Sequence, residues 1–198
     1  MEIIVISGPS GIGKSHLIAE LSRQGVYPLK VYTDRDRRPT ESAFSDRVHL
    51  SKSAFDNSLQ DFLYWFEFQN NRYGYKKSDI DKHRQQNTHI AFNIPASYLP
   101  QLLEKIPEAM VIYLNVDGNF NLIKERMIKR DISPDETEEQ KQLKLISIQK
   151  RLDFAQKELE KLAQIFSTCF GHPKSKIFTI HNDDTLYKEV IPYILKQV

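Results

Sequence analysis

Cysteine is almost absent from this chain. Its one cysteine, Cys169, excludes an internal disulfide and fits a reducing compartment. Cys169 stands among Ile165, Phe166 and Phe170 and reads as core filler. Nowhere do about 18 apolar residues run together, so no segment is long enough to span a bilayer. The opening run Ile3-Ile4-Val5-Ile6 stops at Ser7-Gly8, too short and wrongly flanked for a signal peptide. Charge of either sign is not in excess: 28 Lys and Arg against 26 Asp and Glu leave a net charge of +2. That balance argues against nucleic acid or an anionic membrane as the main partner. Internal repeats and low-complexity tracts are missing. The six histidines show no metal-ligand spacing.

What remains is a chain of 198 residues with 40% hydrophobic and 27% charged residues. It is the right size for one globular domain with its own core. The expectation is a cytoplasmic protein, monomeric or homodimeric.

Three of the seven glycines fall in one short segment. Ile3–Ile6 is a β-branched run, expected as a strand buried on both faces. It leads into Gly8-Pro9-Ser10-Gly11-Ile12-Gly13-Lys14-Ser15, and Leu17, Ile18 and Leu21 then mark one stripe of a helix. Strand, glycine-rich loop and helix are the context that the G-x-x-x-x-G-K-[ST] phosphate loop requires. Such a loop turns its N–H groups onto phosphate oxygens at the positive end of the helix. Lys14 would reach the β- and γ-phosphates of ATP or GTP, and Ser15 would offer its hydroxyl to Mg²⁺. The motif arises by accident in a chain this long with odds on the order of one in a hundred. A GTPase switch would add N-K-x-D, which does not occur. No acid ends the apolar run through Asn93, where a motor or helicase would carry one. Asp117, after the run Met110–Val116, reads as a helix cap.

A second cluster, Thr33-Asp34-Arg35-Asp36-Arg37-Arg38-Pro39-Thr40-Glu41, puts three arginines beside a proline. Guanidinium forks suit phosphate, although on composition alone a surface run neutralised by Asp34, Asp36 and Glu41 is an equal reading.

These segments together resemble the guanylate kinase family. Gly8–Ser15 has its G-P-S-G-x-G-K-S form, and Thr33–Arg38 is similar to T-T-R-x-P-R, with Glu41 at the family's glutamate. Asp46-Arg47-Val48-His49-Leu50-Ser51 resembles D-Y-x-F-V-S. Phe62-Leu63-Tyr64-Trp65 is similar to F-L-E-x, Asn71-Arg72-Tyr73-Gly74 to N-Y-Y-G, and Asn182-Asp183-Asp184 to N-D-D.

The resemblance implies an α/β phosphate-loop fold in three layers with a parallel central sheet. That sheet is expected from Ile3–Ile6, Val31–Thr33, His89–Ile94, Val111–Val116 and Ile177–Ile180. An acceptor-binding insert would cover about 34–86 and a helical lid about 127–151, on a core of 1–33, 87–126 and 152–198. It also implies transfer of the ATP γ-phosphoryl to a small phosphorylated acceptor, foremost GMP, with Mg²⁺.

By the same resemblance Gly8, Ser10, Gly11, Gly13, Lys14, Ser15, His16 and Asn182 would hold ATP. Lys14, Arg126, Arg130 and Arg151 would surround the transferred group. Arg35, Arg38, Glu41, Arg47, Tyr64, Tyr73 and Asn93 would face the acceptor. Independently, Phe120, Ile123 and Met127 mark one helix stripe, so Arg126 and Arg130 share another face.

Four departures stand out. Tyr64 replaces the glutamate that reads guanine, and a phenol cannot accept both the N1 and N2 protons of the base. Arg47 replaces a phosphate-binding tyrosine. Asn93 stands where an acid is expected, and Tyr75 replaces the serine or threonine after Tyr73-Gly74. Phosphate recognition is therefore kept while base recognition is altered. The chain also resembles ribose 1,5-bisphosphate phosphokinase over Asp79–Leu102, an enzyme with no base to read. A protein-interaction module of the same fold is the non-enzymatic alternative, against which the intact phosphate loop argues. Glu67 could stand in for the lost glutamate only if its segment were helical.

Between Arg130 and Arg151 an acidic, proline-punctuated stretch reads as a lid loop, with Ser133 or Asp135 starting the next helix. Ile148, Leu152, Ala155, Leu159, Leu162 and Phe166 then follow a helical period.

Overall fold

The computed structural model describes residues 1–37, 46–116, 118–160 and 173–198. Cys169, Asp117, Arg38 and Glu41 lie outside the described residues, as do Leu162 and Phe166 of the expected helical period.

The central sheet has five strands: β1 (Ile3–Ser7), β2 (Tyr27–Pro28), β7 (Ile90–Asn93), β8 (Met110–Asn115) and β9 (Lys176–Thr179). Their order is β2-β7-β1-β8-β9 and every neighbouring pair is parallel. Alternate residues of β1 enter different cores, which explains the unbroken β-branched run. Ile4 and Ile6 pack with Leu17, Ile18 and Leu21 of α1 (Lys14–Arg23), with Ile123 and Met127 of α5 (Phe120–Asp131), and with Leu186, Val190 and Ile194 near the C-terminus. Ile3 and Val5 pack instead with Ile80 of α3 (Lys77–Gln85) and with Leu99 and Leu102 of α4 (Leu99–Lys105). A strand covered on both faces by helices has no polar side to spare.

A second sheet of four strands carries β3 (Val31–Thr33), β4 (Arg47–His49), β5 (Phe62–Phe68) and β6 (Asn71–Lys76), in the order β4-β3-β6-β5. Val31–Thr33, expected in the central sheet, is here: β3 runs parallel to β4 and antiparallel to β6. Three residues carry too little pattern to say which sheet takes them, and pairing decided it. β5 and β6 form a hairpin closed by Gln69 and Asn70, with φ of 53° and 60°. Two successive left-handed residues make the tight turn that matches strand twist. A short helix, α2 (Lys52–Asn57), is capped by Ser51, whose hydroxyl accepts from the Ala54 amide.

A long helix, α6, spans Glu138–Glu160. It starts neither at Ser133 nor at Asp135. Thr137 and Gln140 cap it reciprocally, the Gln140 amide donating to Thr137 Oγ1 and the Thr137 amide to Gln140 Oε1. Asn119 caps α5 by accepting from the Leu122 amide. No helix among the described residues is long and apolar enough to cross a membrane.

Candidate active site

β1 ends at Ser7, and the chain turns at once around the N-terminus of α1. Gly8 has φ of 137°, and a Cβ there would lie 2.4 Å from the Leu114 carbonyl oxygen. Glycine is therefore required twice over, by backbone conformation and by the close approach of β8. Gly13, at φ 113°, opens α1 without a side-chain cap. The first amides of α1 are thus left facing the loop, where an anion can take them up.

Lys14 Nζ bends back over the loop and donates to the carbonyls of Gly8 (2.6 Å) and Pro9 (2.8 Å). Burial pulls its ammonium down to about 8; nearby Arg130 adds to this, while Glu158 opposes it. Glu158 reaches in from α6, 6% exposed, and accepts from the Ser97 amide at 3.1 Å. Burial raises its pKa against the pull of the Ser97 amide and of Lys14.

The loop forms one wall of a cavity of about 520 Å³. Among the described residues, Lys14, Arg47, Arg126, Arg130 and Arg151 line it, with Glu158 as the single lining carboxylate. A cavity of this charge fits a polyanion. Phe66, Phe68, Tyr73 and Phe154 also line it.

Asp131 orders the arginines. Arg130 donates to it through Nε and Nη2, at 2.7 and 2.9 Å, and Arg151 through Nη1 at 2.8 Å. Burial would raise this carboxyl, but Arg130, then Arg151, override it and hold it at about 2. Arg126 donates to the Ile12 carbonyl at 3.2 Å, which ties α5 to the phosphate loop.

The guanylate kinase family model matches residues 1–172. The chain belongs to the guanylate kinase family. A guanylate kinase from Clostridium tetani is 30% identical over 158 residues, 78% of this chain and 74% of that protein. One from Prochlorococcus marinus subsp. pastoris is 26% identical and covers 98% of this chain and 96% of its own length. In fold, the chain is similar to the guanylate kinase of Anaplasma phagocytophilum, with a TM-score of 0.63 at 15% identity over 99% of this chain and 85% of that one. The protein is a phosphotransferase of the phosphate-loop type.

Of the positions that the family resemblance marks for nucleotide, Gly8, Ser10, Gly11, Gly13, Lys14, Ser15 and His16 line the cavity. His16 also pairs with Tyr187, Nε2 to Oη at 2.6 Å. Asn182 does not line it: its Oδ1 accepts from the Thr185 amide and caps the C-terminal helical run.

Of the positions that the family resemblance marks for the acceptor, Arg47, Tyr73 and Asn93 line the cavity. Arg35 does not; its Nη1 donates to the Asp36 carbonyl at 2.7 Å. Tyr64 also lies outside, its hydroxyl donating to Gln101 Oε1 of α4 at 2.9 Å.

The sequence reading did not single out Asp131, Glu158, Tyr187, Phe66 or Phe154. A signal existed for two of them: Phe154 and Glu158 stand three and seven residues after Arg151 and so share its helix face.

A divalent cation fits this donor set. No group of three His, Cys, Asp or Glu side chains gathers among the described residues. Mg²⁺, however, is commonly held by substrate phosphates, waters and one or two protein oxygens. Ser15, opening α1 beside Lys14, is placed to supply such an oxygen.

Proposed function

We propose that the protein transfers the γ-phosphoryl of ATP to the phosphate of a nucleoside monophosphate, with GMP as the acceptor its family membership favours. The observation that carries this reading is one shared cavity. It joins the phosphate loop to Arg47 and Tyr73 and collects Arg126, Arg130 and Arg151 on the same walls. The triphosphate lies along the amides of Gly8–Ser15, and Lys14 leaves the Gly8 and Pro9 carbonyls for the phosphates. Arg47 and Tyr73 bind the acceptor's phosphate.

An oxygen of that phosphate attacks the γ-phosphorus, the bond to the β-phosphate oxygen breaks, and ADP leaves. The nucleophile is already an oxyanion, so no side chain need act as base. The protein's work is alignment and charge neutralisation by Lys14, Arg126, Arg130 and Arg151. A bound Mg²⁺, met by Ser15, adds neutralisation of the phosphate oxygens. α6 contributes Arg151, Phe154 and Glu158 to the cavity, and its closure over the reactants keeps water out. A cytoplasmic site suits these substrates and the single cysteine.

The test is ADP formation by purified protein with MgATP and each nucleoside monophosphate in turn. Turnover with GMP supports the reading. Silence with every monophosphate contradicts it and favours an interaction module of the same fold.

A further inference from the structure

Glu158 has no part in the proposed reaction. The attacking oxygen is already an anion and needs no base, yet this carboxylate lines the cavity beside Lys14, Arg126, Arg130 and Arg151. A buried carboxylate is costly unless hydrogen bonds hold it. What holds Glu158 is the chain just after β7. That strand ends at Asn93, and Ala96–Tyr98 then makes one 3₁₀ turn. Glu158 Oε1 accepts from the Ser97 amide at 3.1 Å across 61 residues of sequence. Burial works against the charge, and Ser97, Lys14 and the Ala96 amide hold it. The bond therefore ties the C-terminal half of α6 to the core.

Lys14 feels the charge of Glu158, but its own hydrogen bonds go to the Gly8 and Pro9 carbonyls. The direct partner of Glu158 is backbone, not the phosphate-loop lysine.

Arg151, Phe154 and Glu158 form one stripe of α6, at steps of three and four residues, and each meets a different element. Arg151 Nη1 pairs with Asp131 at the end of α5, at 2.8 Å. Phe154 meets Phe68 of β5 edge-on, with ring centroids 5.2 Å apart. Glu158 meets the turn after β7. Apart from Asp131, the guanidinium of Arg151 reaches only Ser147, on its own helix. Its direction thus depends on where α6 lies. Two helical turns further on, about 10 Å along the axis, Glu158 fixes where α6 lies.

We propose that Glu158 is a positioning residue: bonded to the backbone at Ser97, it seats α6 so that Arg151 meets the transferred phosphoryl group. This rests on the kinase reading, which puts Arg151 at that group. The role requires the length of the side chain and its hydrogen bond, rather than its negative charge.

Two variants separate reach from charge. Glu158→Gln keeps the length and an oxygen for the Ser97 amide but loses the charge. Glu158→Asp keeps the charge and is one methylene too short. Each is assayed alone and combined with Arg151→Ala, for kcat and acceptor KM, with MgATP and the nucleoside monophosphate that the wild type turns over best. Glu158→Gln is expected to exceed Glu158→Asp in kcat by about tenfold at similar acceptor KM, because misplacing an aligning group by about 1 Å costs that much or more. Combined with Arg151→Ala, the two variants are expected to turn over equally, since the group they position is gone.

The opposite order, aspartate above glutamine, overturns the inference and makes Glu158 a counter-charge for Lys14. Equal kcat for the two single variants overturns it too, as does a gap that persists alongside Arg151→Ala. A loss of more than about tenfold in Glu158→Gln overturns it whether or not Glu158→Asp folds. In all these cases the wild type still turns over and the kinase reading stands. A wild type silent with every nucleoside monophosphate removes the kinase reading, and this inference with it.

Discussion

Arg151 and Asp131, twenty residues apart in sequence, meet as an ion pair of 2.8 Å between α6 and the end of α5. The same carboxylate takes Arg130 through two further bonds. Two cavity arginines from different helices thereby hang on one aspartate. The pairing fixes their direction, and sharing one negative charge between two guanidinium groups leaves net positive charge for phosphate.

Asp131→Asn is expected to loosen this pivot and to weaken the protein in a pH-dependent way. The folded pKa of Asp131, about 2, lies below the ordinary value of 3.8. Its stabilisation is therefore fully present above about pH 4 and disappears as pH falls through 2. Thermal melts should show the variant weaker by about 2 kcal/mol at pH 7 and level with the wild type near pH 2. An offset that does not change with pH would mean that lost packing, rather than charge, is responsible.

Lys14→Ala should lower turnover by at least roughly a hundredfold while the circular dichroism spectrum stays the same, because in the proposed reaction Lys14 brings its charge to the transferred group. Single-turnover rates measure this directly. An unchanged rate would remove Lys14 from the chemistry.

Gly8→Ala meets a fixed backbone. Its Cβ would lie 2.4 Å from the Leu114 carbonyl oxygen at a φ of 137°, so the loop must move away from β8. Titration with a non-hydrolysable ATP analogue should show affinity reduced by tenfold or more. Wild-type affinity in this variant would mean that the loop does not hold the triphosphate in the observed conformation.

Tyr75→Phe removes the donor to the Asn93 carbonyl. The buried acceptor left behind should cost about 1–2 kcal/mol, seen as a shift of the denaturant midpoint at constant slope. A midpoint equal to the wild type's would show that this hydroxyl carries no net stability.

Local signals gave the phosphate loop, the stripe of α1 and the apolar period of α6, because each is written in a few consecutive residues. Relationships across the chain were not legible in this way. Val31-Tyr32-Thr33 reads as a strand, but only its partners Arg47–His49 and Tyr73–Gly74 put it in the second sheet. Phe62–Phe68 has no turn residue and little polarity, so neither helix nor strand stood out until pairing with β6 settled it. The start of α6 is written locally, as Thr137 and Gln140 three residues apart, and not at Ser133 or Asp135.

At the site, Tyr64 was legible as a departure, but its commitment to Gln101 depends on where α4 packs. Asp131 read only as the start of an acidic stretch. Its role emerges when α5 and α6 lie side by side.

The most direct test of the central claim is a crystal structure with a bisubstrate analogue, two nucleosides joined through a chain of phosphates. The account predicts phosphates running along the amides of Gly8–Ser15, Lys14 Nζ turned from the Gly8 and Pro9 carbonyls onto them, and the distal phosphate against Arg47 and Tyr73. A phosphate chain bound elsewhere, with Lys14 still on those two carbonyls, would contradict it.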